Sequence, residues 1–225
     1  MIGRFALACL DMAGTTVRDD GAVEAAFTSA LAALGVTPGS RFYEEAEVVV
    51  HQTMGWSKAD VFAKLFEPDE ARDATAAFAA AYEAIVAAGD VAEIPGALGV
   101  LRDLRAAGVG VCLTTGFAPS TRDALLDALG WRADIDLALS PADVGRGRPA
   151  PDLVLGAMAR LGVGDPHAVV VVGDTTSDLE AGKAAGVGAV IGVLSGAHDE
   201  ATLVAAAPTA VMADITGLIP FLGQR

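Results

Sequence analysis

Runs of apolar residues alternate along most of the chain with stretches in which apolar positions recur at helical spacing. The apolar runs predict strands at Phe5–Leu10, Val109–Leu113, Ala168–Val172 and Gly188–Val193, with two weaker ones at Leu137–Ser140 and Ala210–Met212. The segment Val169–Val172 contains no polar position, which is typical of a strand that is buried on both faces.

Helical patterns separate these strands. They cover Gly96–Ala107, Ser120–Leu129, Asp152–Leu161, Ser177–Ala185 and Asp199–Ala206. An alternation of strand and helix needs crossover connections, and these join parallel strands. The pattern therefore predicts an α/β fold with a doubly wound, Rossmann-like parallel sheet and helices on both faces.

One region interrupts this alternation. From Val17 to Ala92 the chain carries only helical patterns, at Ala22–Leu34, Tyr43–His51, Lys58–Phe66 and Glu70–Ala88. We therefore predict a helical cap domain, residues 18–92, that is inserted into an α/β core domain of residues 1–17 and 93–225.

Composition narrows the classes of function. The chain has 225 residues, of which 53% are hydrophobic, so it has ample material for a core. No apolar run reaches the roughly 18 residues of a membrane span, and the N-terminal run is interpreted as a strand, not a signal peptide. A net charge of −14 argues against nucleic acid as a partner. Cys9 and Cys112 lie in apolar runs, which predicts reduced core thiols in a cytoplasmic protein.

Polar residues follow the predicted strands at four places. They are Asp11, the pair Thr115-Gly116, the segment from Asp174 to Asp178, and Arg148 in a loop before a helix. Each alone is also typical of a helix cap or a turn. Ligands of open parallel sheets bind outside the carboxyl ends of the strands, so we expect these four groups to meet at one edge.

These side chains suit a phosphoryl group. Asp11 and Asp174 offer the hard oxygen ligands that Mg²⁺ prefers. Thr115 and the amide of Gly116 offer hydrogen-bond donors to an anion, and Arg148 offers a permanent positive charge. The residues therefore predict a site for a small substrate that carries a phosphoryl group, with Mg²⁺ as cofactor and a carboxylate placed to attack phosphorus in line.

The segments LDMAGTT, LTTG, GRGRPAPD and VVVVGDTTSD, in this order, resemble the four motifs of the haloacid dehalogenase superfamily. The resemblance implies that Asp11 is the nucleophile that becomes aspartyl-phosphate, while Thr115 and Arg148 hold the phosphoryl group. It also implies a Mg²⁺ site whose ligands are Asp11, the main-chain carbonyl of Ala13 and Asp174. Asp178 would support this site without binding the metal directly.

Ala13 occupies a position where phosphatases of this superfamily usually carry a second aspartate, their general acid and base. Losing such a group typically costs about 10² to 10⁴ in rate. The phosphonatase branch resembles this chain in its first motif, Asp-x-Ala-Gly-Thr-Thr. Its members cleave the carbon–phosphorus bond of phosphonoacetaldehyde through a Schiff base on a cap lysine, and that leaving group needs no such acid.

The segment MGWSK, residues 54–58, has the Met-Gly pair and the lysine spacing of that branch. The resemblance implies that Lys58 forms the Schiff base and that Met54 and Gly55 bind substrate. Two alternatives stay open, a non-covalent substrate contact and a solvated surface lysine. A free lysine amine has a pKa of about 10.4, so only about one in 2,500 is neutral at pH 7, and covalent chemistry requires burial.

One residue departs from the branch, which carries a histidine three positions after its lysine. That position is Val61 here, and His51, His167 and His198 lie outside the motifs.

Three functions stay open: a phosphonatase-type hydrolase, a phosphatase of small phosphate monoesters, and a catalytically weak phosphate-binding regulatory protein. The base that hydrolyses the aspartyl-phosphate is not assigned beyond Lys58 or His51, and a homodimer is one alternative for the oligomeric state.

Overall fold

The computed structural model describes residues 5–223 and is built around a six-stranded sheet whose neighbouring strands are all parallel. The strands are β1 (Leu7–Asp11), β2 (Gly110–Thr114), β3 (Leu137–Leu139), β4 (Val169–Gly173), β5 (Ala189–Val193) and β6 (Ala210–Met212). Their order is β3-β2-β1-β4-β5-β6, so the winding reverses between β1 and β4. The predicted doubly wound α/β fold is confirmed.

Helices connect the strands. They are α1 (Ala22–Ala33), α2 (Arg41–Gln52), α3 (Lys58–Phe62), α4 (Pro68–Ala88), α5 (Ala97–Ala106), α6 (Pro119–Leu129), α7 (Pro141–Val144), α8 (Asp152–Leu161), α9 (Thr176–Ala184), α10 (Glu200–Ala205) and α11 (Leu218–Gly223). Short 3₁₀ turns lie at Trp131–Ala133, Pro166–Ala168 and Ile215–Gly217. In the described part of the chain, no helix is both long and apolar enough to cross a bilayer.

The helix boundaries differ from the sequence prediction at α3. The pattern predicts a helix over Lys58–Phe66, but α3 ends at Phe62 and hydrogen-bonded turns lead to Pro68, the first residue of α4. Proline is preorganised for that first helical position, which explains why α4 begins there. The short helices α7 and α11 were not predicted, because four to six residues show no clear period.

The sheet is covered on both faces. Val170 and Val172 of β4 pack in one apolar cluster, and Val169 and Val171 pack in another on the opposite face. This confirms that the valine run is buried on both sides. A strand alternates its side chains between faces, so a strand with helices on both sides needs apolar residues at every position.

Helices α1–α4 follow β1 and precede α5, and their aromatic side chains pack together. The Phe27 ring centroid lies 4.8 Å from that of Phe78 and 5.2 Å from that of Phe62. The two ends of this segment are tied by a hydrogen bond of 2.9 Å from the Arg18 amide to the Ala92 carbonyl. The domain limits at 17/18 and 92/93 stay a prediction, and residues 1–4 and 224–225 of the predicted core lie outside the described residues.

Candidate active site

One cavity at the carboxyl edge of the sheet collects the predicted site residues. Asp11, the last residue of β1, pairs in register with Thr114, the last residue of β2. The neighbouring strand β4 ends at Gly173, directly before Asp174. The cavity has a volume of about 50 Å³, and its lining includes Asp11, Ala13, Met54, Gly55, Lys58, Thr115, Gly116, Arg148 and Asp174. The structure therefore brings these residues together, while their chemical roles stay predictions.

Arg148 pairs with two buried carboxylates. Its Nη1 atom lies 2.7 Å from Oδ1 of Asp11 and also donates to Oδ1 of Asp178. Burial raises the pKa of the Asp11 carboxyl well above its usual range, Arg148 opposes this, and the charges of Asp178 and Asp174 add to it. The sequence indicated a phosphoryl contact for Arg148, and the structure adds a second role, balancing the charge of the proposed nucleophile.

Asp174 is fixed by hydrogen bonds on both oxygens. The Thr15 hydroxyl donates to Oδ1 at 3.0 Å, and the Ala197 amide donates to Oδ2 at 2.7 Å. Burial, and then the charge of Asp178, raises the pKa of Asp174 to about 6. Gly14 has φ +84°, and a side chain there would strike the Asp174 carboxylate, so a glycine is required on both counts.

Three carboxylates lie close enough to share a cation. Asp11, Asp174 and Asp178 each offer an oxygen, and these atoms lie within 4.8 Å of one another. Carboxylate oxygens are suitable ligands for Mg²⁺, and a divalent charge would offset the repulsion that raises the pKa values of Asp11 and Asp174. The donor set therefore fits the metal that the sequence predicted.

Asp178 owes its position to the start of α9. Thr175 and Asp178 form a capping box, in which Oδ2 of Asp178 accepts a hydrogen bond of 3.2 Å from the Thr175 amide. The Thr175 hydroxyl also donates to this oxygen at 2.6 Å. This leaves Oδ1 of Asp178 facing Arg148. A side chain at Gly173 would overlap the Asp178 carboxyl, so the end of β4 must be glycine for this approach.

The loop after β2 offers its donors to the cavity. Oγ1 of Thr115 accepts a hydrogen bond of 3.1 Å from the Phe117 amide, so its own proton is free to donate. Thr115 is buried. A side chain at Gly116 would collide with the main-chain oxygen of Trp56, which shows how closely the segment of residues 54–58 approaches this loop.

Main-chain hydrogen bonds hold residues 54–58 against the core. The Ser177 hydroxyl donates to the Met54 carbonyl at 2.9 Å, and the Lys58 amide donates to the Gly116 carbonyl at 3.3 Å. Ser57 caps α3 by accepting from the Asp60 amide at 3.1 Å. Lys58 is therefore fixed as the first residue of α3, with its side chain lining the cavity.

Lys58 is buried in an aromatic cage formed by Phe27, Phe78 and Phe117. Its Nζ atom lies 5.2 Å from the ring centroid of Phe27 and 5.4 Å from those of Phe78 and Phe117. Only 8% of the residue is exposed, which excludes the solvated surface alternative. Burial, and then the charge of Arg148, lowers the pKa of Lys58 to about 8. About one amine in ten is then neutral at pH 7.

Sequence reasoning missed the three phenylalanines of this cage. The sequence indicated Met54 as a substrate-binding residue, and Met54 lines the cavity together with Trp56. The rings nearest the amine nevertheless come from α1, α4 and the loop after β2. Phe27 and Phe78 lie in helical patterns and Phe117 lies in a loop, and no sequence signal shows that residues of these three elements meet.

The histidines lie away from the cavity lining. His51 is exposed, and Nδ1 of His198 accepts a hydrogen bond of 3.0 Å from the Thr176 amide at the start of α9. Val61, at the position where the resembling branch carries a histidine, is buried. The cavity instead contains Asp19, which sequence reasoning placed at a domain limit and gave no role.

Comparisons with known proteins indicate the family of the chain and its fold. Residues 5–186 match the family model of the haloacid dehalogenase-like hydrolases. A phosphonoacetaldehyde hydrolase of Bacteroides fragilis is 38% identical over 111 residues, which are 48% of this chain and 41% of that protein. This chain thus matches less than half the length of that relative.

Two further proteins match nearly end to end. A protein of Dickeya dadantii named "Probable phosphatase IndB" is 31% identical over 212 residues, 92% of this chain and 88% of that protein. The crystal structure of a hydrolase from Pseudomonas syringae superposes with a TM-score of 0.84 at 24% identity, over 97% of this chain and 98% of that one. At that identity the superposition shows a shared fold.

Proposed function

The chain belongs to the haloacid dehalogenase-like hydrolases, and we propose that it is a Mg²⁺-dependent phosphonatase that cleaves the carbon–phosphorus bond of phosphonoacetaldehyde or a close analogue. The observation that carries this proposal is the environment of the Lys58 amine. Its amine is buried in the cavity that Asp11 also lines, and its pKa is lowered to about 8. An amine that is partly neutral at pH 7, in the same cavity as a carboxylate nucleophile, is the pair that Schiff-base cleavage of a phosphonate needs.

The chain's own residues perform the following steps. The neutral amine of Lys58 condenses with the substrate aldehyde and releases water, leaving an iminium ion. Asp11 then attacks phosphorus, and the electrons of the carbon–phosphorus bond pass into the iminium to give an enamine. The enamine takes up a proton at carbon and becomes an iminium ion again, and water hydrolyses this ion to release the aldehyde product and free Lys58. A second water molecule hydrolyses the aspartyl-phosphate, which releases phosphate and frees Asp11.

The rest of the cavity holds the phosphoryl group. Thr115, Arg148 and the Gly116 amide donate to its oxygens, and Arg148 also favours the charged form of Asp11. Mg²⁺ would be held by Asp11, Asp174 and the carbonyl of Ala13, and when bound it supplies a Lewis acid for the phosphoryl oxygens. Ala13 removes the usual acid, but an enamine leaving group requires no proton from that position.

A phosphatase of small phosphate monoesters is the second candidate. The match to the Dickeya dadantii protein, named as a probable phosphatase, covers 92% of this chain and favours it. In this version Lys58 contacts the substrate without covalent chemistry. Absence of turnover with both substrate classes would instead favour a phosphate-binding regulatory protein.

Borohydride trapping distinguishes these candidates. The chain has three lysines, Lys58, Lys64 and Lys183, so mass spectrometry assigns a reduced adduct easily. We expect phosphonoacetaldehyde and sodium borohydride to modify Lys58 in the wild type and in the exposed-site control Lys64→Arg, and to leave Lys58→Arg unmodified and inactive. Turnover that survives in Lys58→Arg would exclude the Schiff base.

A further inference from the structure

Asp19 has no place in the steps described so far, although it lies inside the same cavity. Five ionisable side chains among the described residues line that cavity: Asp11, Asp19, Lys58, Arg148 and Asp174. Asp11 is the proposed nucleophile, Asp174 is a proposed metal ligand, and Arg148 pairs with Asp11. Asp19 is therefore the carboxyl group of the cavity that remains available for proton transfer during the reactions of the Lys58 amine.

The carboxyl group of Asp19 is held in a fixed orientation. Its Oδ1 atom accepts a hydrogen bond of 2.9 Å from the Val23 amide at the start of α1. The second oxygen is left for a group in the cavity. Because the anchor is a main-chain amide, an asparagine or serine in place of Asp19 can keep it.

Asp19 also lies at the boundary between the cavity and solvent. Asp19, Met54 and Ala197 line both the cavity and an adjoining surface groove of about 740 Å³. A group that delivers protons in every turnover must exchange them with water, and the half-buried Asp19 can do so through the groove. The fully buried carboxylates Asp11 and Asp174 have no such exposure.

We infer that Asp19 is the proton-transfer residue for formation and hydrolysis of the imine on Lys58. This inference rests on the proposed Schiff-base reaction. Lys58 nitrogen adds to the aldehyde carbon, and a proton moves from nitrogen to oxygen to give a carbinolamine. The Asp19 carboxylic acid protonates that hydroxyl group and the carbon–oxygen bond breaks. Water departs and the iminium ion is formed. In the reverse sense, the Asp19 carboxylate takes a proton from the water that hydrolyses the imine.

The charges around Asp19 suit this exchange. Burial is the largest influence and raises the pKa of Asp19, Lys58 of α3 lowers it, and Glu24 of α1 and the adjacent Asp20 raise it. Burial, and then the charges of Asp19 and Asp11, raise the pKa of Tyr82 of α4, so its hydroxyl is neutral. Burial thus brings the pKa values of Asp19 and Lys58 towards one another, which makes it easier for a proton to move from the amine to the carboxyl group during the reaction.

The test compares Asp19→Asn and Asp19→Ser with the matched control Asp20→Asn. Asp20 is exposed and pairs with Arg18, so the control removes the same charge one residue away. We expect both Asp19 variants to lose about 10²-fold in the rate of borohydride-trapped adduct formation and in turnover of phosphonoacetaldehyde. Asp20→Asn should stay within about twofold of the wild type, as surface changes usually do.

The pH profile separates proton transfer from a structural role. In the wild type the rate should fall above pH 8, because the proton that Asp19 delivers comes from Lys58, whose pKa is about 8 and which is deprotonated above that pH. In Asp19→Asn the rate should rise until Lys58 is neutral and then stay level. Asp19 variants with wild-type trapping rates, or with a profile of unchanged shape, would overturn the inference. A wild type that forms no adduct would overturn the proposed function itself.

Discussion

Lys58→Met should make the protein more stable while abolishing its chemistry. Lys58 places an ammonium group among Phe27, Phe78 and Phe117, and it forms no ion pair within residues 5–223. Methionine has similar length and is apolar, and sulfur packs favourably against aromatic rings. The substitution therefore removes a buried charge and leaves little empty space.

The pKa of Lys58 sets the magnitude. It falls from an ordinary 10.5 to about 8, and one pKa unit corresponds to about 1.4 kcal/mol, so keeping the ammonium in the fold costs about 3 kcal/mol. Cation–π attraction to the rings returns about 1 kcal/mol. Lys58→Met should thus raise the free energy of unfolding at pH 7 by about 2 kcal/mol, or the melting temperature by about 4 to 8 °C.

The gain should depend on pH with a definite sign. Between pH 8 and 10.5 the unfolded chain binds a proton at Lys58 that the folded chain has lost. The stability of the wild type therefore rises with pH relative to that of the variant. Below pH 8 both states are protonated and the difference is constant, so the advantage of Lys58→Met should shrink only as pH rises through that interval.

Urea unfolding followed by tryptophan fluorescence measures both effects. The wild type and Lys58→Met are compared at pH 7 and pH 10, with Lys64→Met as the control for removal of an exposed lysine. A variant that is less stable than the wild type at pH 7 would refute the reasoning. So would a stability difference that does not change between pH 7 and pH 10.

Three other substitutions test the site. Arg148→Met leaves two buried carboxylates unpaired and should lower the free energy of unfolding by about 3 kcal/mol, measured by urea denaturation; an unchanged midpoint would contradict the pairing. Ala13→Asp restores an acid at the cavity and should raise phosphate monoester hydrolysis without raising phosphonate cleavage, in a two-substrate assay; a parallel rise would argue against an enamine leaving group. Gly116→Ala should slow adduct trapping by about 10²-fold, because its side chain would meet the Trp56 oxygen. Gly99→Ala, which meets no atom within 4 Å, is the control for that change, and equal trapping rates would contradict the close approach.

The parts of the fold that could be predicted are those that depend on the residues of a single segment of the chain. The apolar runs of β1, β2, β4 and β5 indicate strands, because a strand that is covered on both faces must be apolar throughout. Their parallel arrangement then places Asp11, Thr115 and Asp174 at one edge without any knowledge of packing. The order of the strands was not predicted, since crossover connections leave it open.

The parts that could not be predicted depend on how helices rotate against one another. The alanine-rich sequence of α4 has an apolar face too broad to show that Phe78 points at Lys58. Asp19 lies in a short polar segment that looks like an ordinary turn, and its position in the cavity follows from where α1 begins. The homodimer stays a prediction.

The contacts that dock residues 54–58 on the core have a consequence for selectivity. Whenever the hydrogen bonds to Met54 and from Lys58 break, the amine leaves its aromatic surroundings and meets water, where its pKa returns towards 10.5. An aldehyde that drifts past the open protein then encounters an inert ammonium ion. Only a compound that stays bound while residues 54–58 close over it meets a reactive nitrogen. Closure would therefore exclude solvent and would also prevent reaction with carbonyl compounds that are not the substrate.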